Sequence, residues 1–287
     1  MLQFASQIVF NGLMSGLVYV LVALGFTMIF GIMRVVNFAH GEFYMIAAYV
    51  LYLACTLGGL NYFVGMLLGA VVAGIVGVVV ERALFRPFIG REINGMIIAI
   101  ALSLSFRALA LILFGPEELA VPRPIQGSLL IGGVALTYDR LLIGVSALII
   151  MSVFYLLLHH TRMGLAMRAI AQDEKIASLQ GIAPSYIHAG AFGIGCVLAG
   201  LAGGLMAPIY TVSPTMGEMP MLKAFVVVIL GGLGSIPGAV IGGILLGCVE
   251  SLFSTLINST VAAMIVFTLV VIVISWRPHG FFGNRFS

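Results

Sequence analysis

The sequence predicts an all-α integral membrane protein, a polytopic helix bundle of about eight membrane segments that includes a discontinuous or re-entrant helix. Of its 287 residues, 62% are hydrophobic and 8% are charged, whereas about a quarter of the residues in a soluble domain are charged. The mean hydropathy is +1.21, so the chain requires hydrocarbon as its solvent. Its apolar residues form continuous runs, which excludes a membrane β-barrel because barrel strands alternate with period two.

Eight apolar runs are candidate membrane spans, since a helix needs about 20 mainly apolar residues to cross the hydrocarbon layer. The length allows one compact bundle without a large soluble domain, so we treat residues 1–287 as a single transmembrane domain. Residues 1–7 lack a basic residue and the first run is too long for a signal-peptide core, so we expect a retained first span. The candidate spans are residues 8–32, 42–58, 62–80, 95–114, 141–158, 188–207, 222–247 and 251–275.

Basic residues indicate which segments face the cytoplasm. They cluster in a loop after the third span, in a loop after the fifth span and on the C-terminal tail, so we place these three segments in the cytoplasm. The loop 115–140 is then external, and its prolines suit an irregular, solvated segment. The basic residues of the three clusters are Arg82, Arg86 and Arg91, then Arg162, Arg168 and Lys175, then Arg277 and Arg285.

This assignment creates a parity conflict, because three apolar runs separate the second basic loop from the tail. Either the tail is external or one run does not cross. Residues 224–238, AFVVVILGGLGSIPG, favour the second alternative, since Gly231, Gly232, Gly234 and Pro237 would break a helix. Broken helices at membrane depth occur where protein or a water-filled path satisfies the freed backbone. We therefore predict a broken helix that faces a translocation path, with the three glycines as pore or gate residues.

The N-terminal half carries a similar interruption, GIMRVVNFAHGEFYM, between the first two runs. Paired interruptions suggest an internal repeat and indicate a transport site. Polar residues at membrane depth are costly and often functional, so Asn37, His40 and Glu42 are candidates for lining the pore or gating it. The alternative is a cytoplasmic turn in which Arg34 pairs with Glu42.

Two further charged residues and several glycines have open interpretations. Arg107 lies within a span near its outer end, where snorkelling explains it as well as a function does. Glu250 is expected to be solvated or paired at a helix junction. Glycines that recur every four residues, as at 12 and 16 and at 234, 238 and 242, favour close helix packing over a glycine-lined path.

No enzyme motif argues for catalysis. The chain lacks a paired-carboxylate, nucleophile–base or HExxH pattern, and the adjacent His159 and His160 make a poor metal chelate. No cofactor or metal is expected to bind this chain, and the scattered basic residues argue against nucleic acid as a partner. Neither Lys175 nor Lys223 follows a glycine, so the chain has no GxxxxGK[ST] phosphate loop and any ATP hydrolysis requires another chain.

The most informative polar segment is the loop at 160–187. The pattern of residues 164–181 predicts a short amphipathic helix. Gly181 is a stop signal for this helix, and Pro184 prevents the helix from continuing beyond it. Such a helix either lies on the membrane face or docks into a groove of a partner.

Three sequence blocks carry a family resemblance. GLAMRAIAQDEKIASLQGI resembles the cytoplasmic coupling loop of the permeases of ABC importers. ALGFTMIFGIMRVVNFAHGEFYM and VVVILGGLGSIPGAVIGG are similar to the N-terminal and C-terminal regions of the branched-chain amino acid permeases. The blocks occur in the expected order, NFAHGEF is the most subgroup-specific, and the length resembles the shorter, LivH type.

The resemblance implies a permease domain over residues 1–287 with a coupling loop at 160–187, in the bacterial inner membrane. It implies four partners besides membrane lipid: a longer second permease, two ATPase subunits that use ATP, and a periplasmic or lipid-anchored solute-binding protein. The residues that it places in the ATPase-coupling loop are Gly164, Arg168, Ala169, Asp173, Ala177 and Gly181.

The resemblance favours leucine, isoleucine, valine or related amino acids as solutes. Three alternatives stay open. The first is the same machine for urea or short amides, and the second is a secondary transporter or channel that works alone. The few ionisable residues in the spans argue against ion coupling. The third is a non-transporting scaffold, which would have no reason to carry the coupling loop.

Overall fold

The computed structural model describes residues 2–131, 134–277 and 280–282. Almost all of its regular structure is helical, which confirms the predicted all-α membrane bundle. Seven of the described helices are long and apolar enough to cross a membrane. The elements in chain order are α1 (Leu2–Met33), α2 (His40–Thr56), α3 (Tyr62–Val80, continued by a π-helical turn at Glu81–Phe85 and a 3-10 turn at Arg86–Phe88), α4 (Glu92–Phe114), β1 (Ser128–Ile131), β2 (Val134–Thr137), α5 (Tyr138–His160), α6 (Arg162–Gln172), α7 (Glu174–Leu179), α8 (Pro184–Met206), α9 (Glu218–Gly231), α10 (Ile236–Leu256) and α11 (Ser259–Trp276).

Helix α1 forms the centre of the bundle. Nearly every side chain between Leu17 and Ile29 is buried, as expected for a helix that is apolar all round. It packs closely against α10 through glycines: a Cβ on Gly12 would lie 2.7 Å from the Cα of Cys248, and one on Gly16 would lie 2.9 Å from the Gly243 oxygen. This confirms the packing interpretation of the spaced glycines.

The run at 222–247 is not a single span. Helix α9 ends at Gly231 and α10 begins at Ile236, so the predicted discontinuity is confirmed. Gly231 contacts Gly238, and Gly242 lies against Val227, so the two helices form an antiparallel hairpin.

This hairpin resolves the parity conflict, because α9 and α10 run in opposite directions and the run at 222–247 therefore begins and ends on the same side of the bundle. Gly31 near the end of α1 approaches Gly234, and Phe281 and Phe282 donate backbone hydrogen bonds to the carbonyls at the end of α9. The described tail residues therefore lie at the same face of the bundle as the end of α1. Arg285 lies outside the described residues.

The loop at 161–183 lies at this face too. Gln7 bonds to the backbone of Ala135, Asn11 bonds to Arg140, and Met14 lies against Gly144. These successive contacts show that α1 and α5 run parallel, so the ends of both helices meet at one face. We refer to this face as the inner face.

Two boundaries differ from the sequence prediction. Helix α10 continues to Leu256, and the last span begins at Ser259 because Asn258 caps α11 by accepting a hydrogen bond from the Val261 amide at 2.8 Å. The external loop expected to be irregular contains the antiparallel pair β1–β2, and a bridge joins Leu119 to Val212.

Candidate translocation path and coupling surface

The chain re-enters the bundle after α1. Arg34 adopts a left-handed backbone, with φ of 53°, and its side chain is exposed. The Asn37 Oδ1 accepts a hydrogen bond from the Ala39 amide at 3.1 Å, and His40 Nε2 lies 3.2 Å from the Val22 oxygen. Val22 precedes the end of α1 by about three helical turns, so α2 begins well inside the bundle.

The three polar residues predicted for the pore are all buried. Asn37 and Glu42 are 1% exposed and His40 is 0% exposed. Asn37 Nδ2, His40 Nδ1 and Glu42 Oε2 make no hydrogen bond to any described residue. The alternative turn with an Arg34–Glu42 pair is wrong, because Glu42 bonds to other residues. Their role in a pore or gate stays a prediction.

Glu42 belongs to an ionic cluster that we call the α4 cluster: Glu42, Ser103, Arg107 and Glu218. The Glu42 Oε1 accepts hydrogen bonds from Ser103 Oγ at 2.8 Å and from Arg107 Nε at 2.7 Å. Arg107 Nη1 also pairs with Glu218 Oε1 in the first turn of α9. The side chains are graded in exposure, with 1% for Glu42, 27% for Arg107 and 43% for Glu218. Arg107 therefore pairs with two carboxylates and does not simply snorkel to the interface.

The α4 cluster lies where two helix N-termini meet. The α2 residue Gly41 packs directly on the backbone of Gly217, which precedes α9, and a Cβ on either residue would clash with the other's carbonyl. Neither helix has a side-chain cap. Glu42 and Glu218 each supply a carboxylate to the first turn, where it favours the helix dipole. Two short helices thus begin inside the bundle and share one guanidinium.

A second ionic cluster joins α1, α9 and α10. Lys223 Nζ donates to Glu250 Oε1 at 2.6 Å and to the Tyr19 hydroxyl at 2.8 Å, and that hydroxyl donates to Glu250 Oε2 at 2.9 Å. Lys223 also lies 4.7 Å from the centroid of the Tyr19 ring. Glu250 is therefore paired, as one alternative held, but it lies within α10 and not at a helix junction. The sequence did not indicate its partners.

The glycines predicted for the pore or gate are separate from the α4 cluster. Gly232 and Gly234 have φ of 100° and 83°, which an L side chain rarely adopts. Gly231 contacts Gly238 and borders an apolar cavity of about 590 Å³ between α9, α10, α11 and the tail. These glycines shape the turn of the hairpin at the inner face, whereas Asn37, His40 and Glu42 lie deeper.

The predicted coupling helix is two helices. Asp173 has an extended backbone that ends α6, and its Oδ1 caps α7 by accepting a hydrogen bond from the Ile176 amide at 2.9 Å. Thr161 caps α6 in the same way through the Gly164 amide, at 3.0 Å. The predicted single helix over 164–181 is therefore wrong. Aspartate is favoured at an N-cap and disfavoured inside a helix, so Asp173 ends α6 and starts α7.

The end of this segment follows the prediction. Gly181 has φ of 85°, and the amides of Gly181 and Ile182 bond to the carbonyls of Ser178 and Ala177 at 3.0 and 3.2 Å. These two bonds form a Schellman motif, which ends α7.

The segment has an anchored face and an exposed face. Met167, Ile170 and Ala177 are buried, and Gly164 packs directly on the end of α5. Leu165, Ile176 and Leu179 are 61%, 60% and 84% exposed. Of the other predicted coupling residues, Ala169 is half-buried, while Arg168, Asp173 and Gly181 are exposed. The segment is thus a rigidly capped pair of helices with an outward apolar patch.

No metal site accompanies these clusters in the described part of the chain, where no three His, Cys, Asp or Glu side chains converge to hold an ion. Long apolar helices, a helix break, buried polar groups inside the bundle and a helix pair docked at one face are typical of polytopic membrane transport proteins. The chain belongs to the family described as the permease component of branched-chain amino acid transport systems, whose model matches residues 8–275.

Similar proteins span nearly the whole chain. It is 36% identical to BraD of Pseudomonas aeruginosa, a high-affinity branched-chain amino acid transport system permease protein, over 96% of this chain and 94% of BraD. It is 35% identical to LivH of Escherichia coli K12, which has the same description, over 97% of this chain and 95% of LivH.

A solved structure shares the fold. The chain matches PsaBC from Streptococcus pneumoniae, solved in complex with Fab, with a TM-score of 0.55 over 92% of this chain and 90% of that chain. The identity is 13%, so the match concerns the fold alone.

Proposed function

We propose that this chain is the shorter permease subunit of an ATP-driven importer that moves leucine, isoleucine, valine or related amino acids across the bacterial inner membrane. The observation that carries the proposal is the family match over residues 8–275, together with near full-length similarity to BraD and LivH. The chain itself supplies the path, and partner subunits hydrolyse ATP.

The α6–α7 pair supports a role in coupling to an ATPase. A coupling element must move as one body with the bundle and offer a surface to its partner. Buried Ala177 and the close approach of Gly164 to α5 supply the attachment. Exposed leucine and isoleucine side chains supply an apolar surface suited to a groove. The proposed coupling residues are Gly164, Arg168, Ala169, Asp173, Ala177 and Gly181.

The interior supports a translocation path with alternating access. Asn37, His40 and Glu42 are buried polar groups with unused hydrogen-bonding capacity beside the start of α2, and such groups in a membrane mark solute pathways. The glycine break at 231–234 supplies a turn at the inner face about which α9 and α10 can adjust. ATP binding closes the ATPases, and α6–α7 transmits that movement to the bundle.

The remaining partners fit the outer surfaces of the chain. A longer second permease covers part of the exposed apolar faces of α3, α4, α5 and α11, and lipid covers the rest. A periplasmic or lipid-anchored solute-binding protein delivers the amino acid to the face opposite α6–α7, which carries β1–β2 and the loop at 207–217.

Uptake of labelled leucine by cells that express the chain with its neighbouring transporter genes tests the proposal. Asp173→Arg should abolish uptake and co-purification of the ATPase at equal membrane levels. Asp173→Asn keeps an N-cap and is the matched control for folding of α7. Uptake of urea or a short amide instead of leucine would favour the related machine, and uptake without an ATPase would favour a secondary transporter or channel.

A further inference from the structure

We infer that the Arg107–Glu218 ion pair is the contact site for the charged head group of a zwitterionic α-amino acid, which inserts between the two side chains during transport. Glu42 positions Arg107 for this exchange. The inference deepens the proposed function and rests on it.

The two carboxylates that hold Arg107 are not equivalent. Glu42 is 1% exposed, bonds to Arg107 Nε at 2.7 Å and is itself held by Ser103. Glu218 is 43% exposed and bonds to a terminal nitrogen of the guanidinium. The Glu42 bond is thus fixed by its surroundings, whereas the Glu218 bond can open without exposing a buried carboxylate. Glu218 is the first residue of α9 and directly follows the external loop at 207–217. A solute that enters beside this loop therefore meets Glu218 before it meets Arg107.

Insertion of a zwitterion breaks the Arg107–Glu218 pair but leaves every charge paired. The solute carboxylate takes the guanidinium nitrogen that Glu218 releases, and the solute ammonium pairs with the Glu218 carboxylate. Guanidinium groups match carboxylates in a planar, two-bond geometry. One ion pair becomes two, so no charge is left unpaired where charges are costly to bury. Urea or a short amide carries neither charge. If such a solute separated Arg107 from Glu218, it would replace neither charge partner, whereas a zwitterion pairs with each of them.

The buried end of the α4 cluster has unused capacity. Glu42 Oε2 makes no hydrogen bond to any described residue, although it is fully buried. The cluster carries one guanidinium and two carboxylates, so the ammonium group of a solute has a carboxylate partner there. A zwitterion, whose own carboxylate takes the place of Glu218 on the guanidinium, therefore fits this site better than an anion does.

The Lys223–Glu250 pair is the natural control. It also lies between helices, and its two side chains are 22% and 24% exposed. Tyr19 bonds to both partners and locks the pair, and its charges are balanced. We assign this cluster to holding α1, α9 and α10 together, without contact to the solute.

The test uses the complete transporter in liposomes with its own solute-binding protein, and it measures leucine uptake and stimulated ATP hydrolysis together. Glu218→Gln should lower the leucine moved per ATP at least about tenfold, which corresponds to about 1.4 kcal/mol, while stimulated ATP hydrolysis persists. Glu218→Asp keeps the charge and should retain most of the ratio. Glu250→Gln should leave the ratio unchanged, even if less transporter assembles.

A double variant, Arg107→Gln with Glu218→Gln, removes the ion pair, leaves Glu42 as the remaining charge of the cluster and separates contact with the solute from a structural latch. It should stay defective, because the pair that receives both charges of the solute is gone. An unchanged ratio of leucine moved per ATP in Glu218→Gln, or recovery of that ratio in the double variant, would overturn the inference. The Arg107–Glu218 pair would then be a structural latch between helices. Absence of leucine uptake in the wild type, despite stimulated ATP hydrolysis, would instead overturn the proposed function and the inference with it.

Discussion

The contact between the start of α2 and the residue before α9 makes a quantitative prediction for Gly41→Ala. A Cβ at residue 41 would lie 2.7 Å from Met221 Cβ and 3.0 Å from the Gly217 carbonyl carbon, and closer still to the Gly217 oxygen. Two of these neighbours are backbone atoms, so relief requires the helices to separate. Overpacking costs about 1–3 kcal/mol, and the better helix propensity of alanine offsets up to about 1 kcal/mol.

We therefore expect Gly41→Ala to lower the free energy of unfolding by up to about 3 kcal/mol and to weaken leucine uptake, because Glu42 and Glu218 move apart. Gly31→Ala is the matched control. Its nearest neighbour, the Cα of Gly234, lies at 3.6 Å, so alanine fits and should stabilise α1 by up to about 1 kcal/mol. Titration with a denaturing detergent measures both variants. Equal stability of the two would refute the close contact between Gly41 and Gly217.

Three further predictions follow from single sites. Lys223→Met or Glu250→Gln alone should each destabilise the subunit by about 1.5–3 kcal/mol, while the double variant should lose less than the sum in a double-mutant cycle; additive losses would contradict the pairing. Gly232→Ala should cost about 1–3 kcal/mol through strain of its backbone, whose φ is 100°, measured as a lower unfolding midpoint, and an unchanged midpoint would argue against the positive φ. Asp173→Arg should release the ATPase in a pull-down assay while Asp173→Asn retains it, and retention of the ATPase by both would refute docking at α7.

The sequence predicted features that depend on local chemistry. Clustered glycines at 231, 232 and 234 followed by Pro237, a residue favoured in the first turn of a helix, mark the end of one helix and the start of the next, so the α9–α10 turn was predictable. Continuous apolar runs marked the spans, because hydropathy depends on the local sequence alone. Gly181 marked the end of α7, because few other residues tolerate its φ of 85°.

Other local features were readable but missed. Asp173 followed by Glu174 is a start signal for a second helix. The apolar stretch at 128–137, with two glycines at its centre, is a hairpin signal. Both were treated as parts of a longer helix or loop.

The ionic clusters could not be predicted, since they join residues far apart in sequence. Arg107 and Glu218 meet only because α4 packs beside the starts of α2 and α9. Lys223 and Glu250 meet only because α9 and α10 form a hairpin. A charged residue in a span reveals that it needs a partner but not which one, because the choice depends on how the helices pack.

The most direct test of the central claim, that this chain is a permease driven by partner ATPases, is leucine uptake into liposomes that contain the purified transporter. Uptake should require ATP, the ATPase subunits and the loaded solute-binding protein, and Asp173→Arg should abolish it while Asp173→Asn retains it. Leucine uptake by this chain without ATP or ATPase subunits, or full uptake with Asp173→Arg, would contradict the claim.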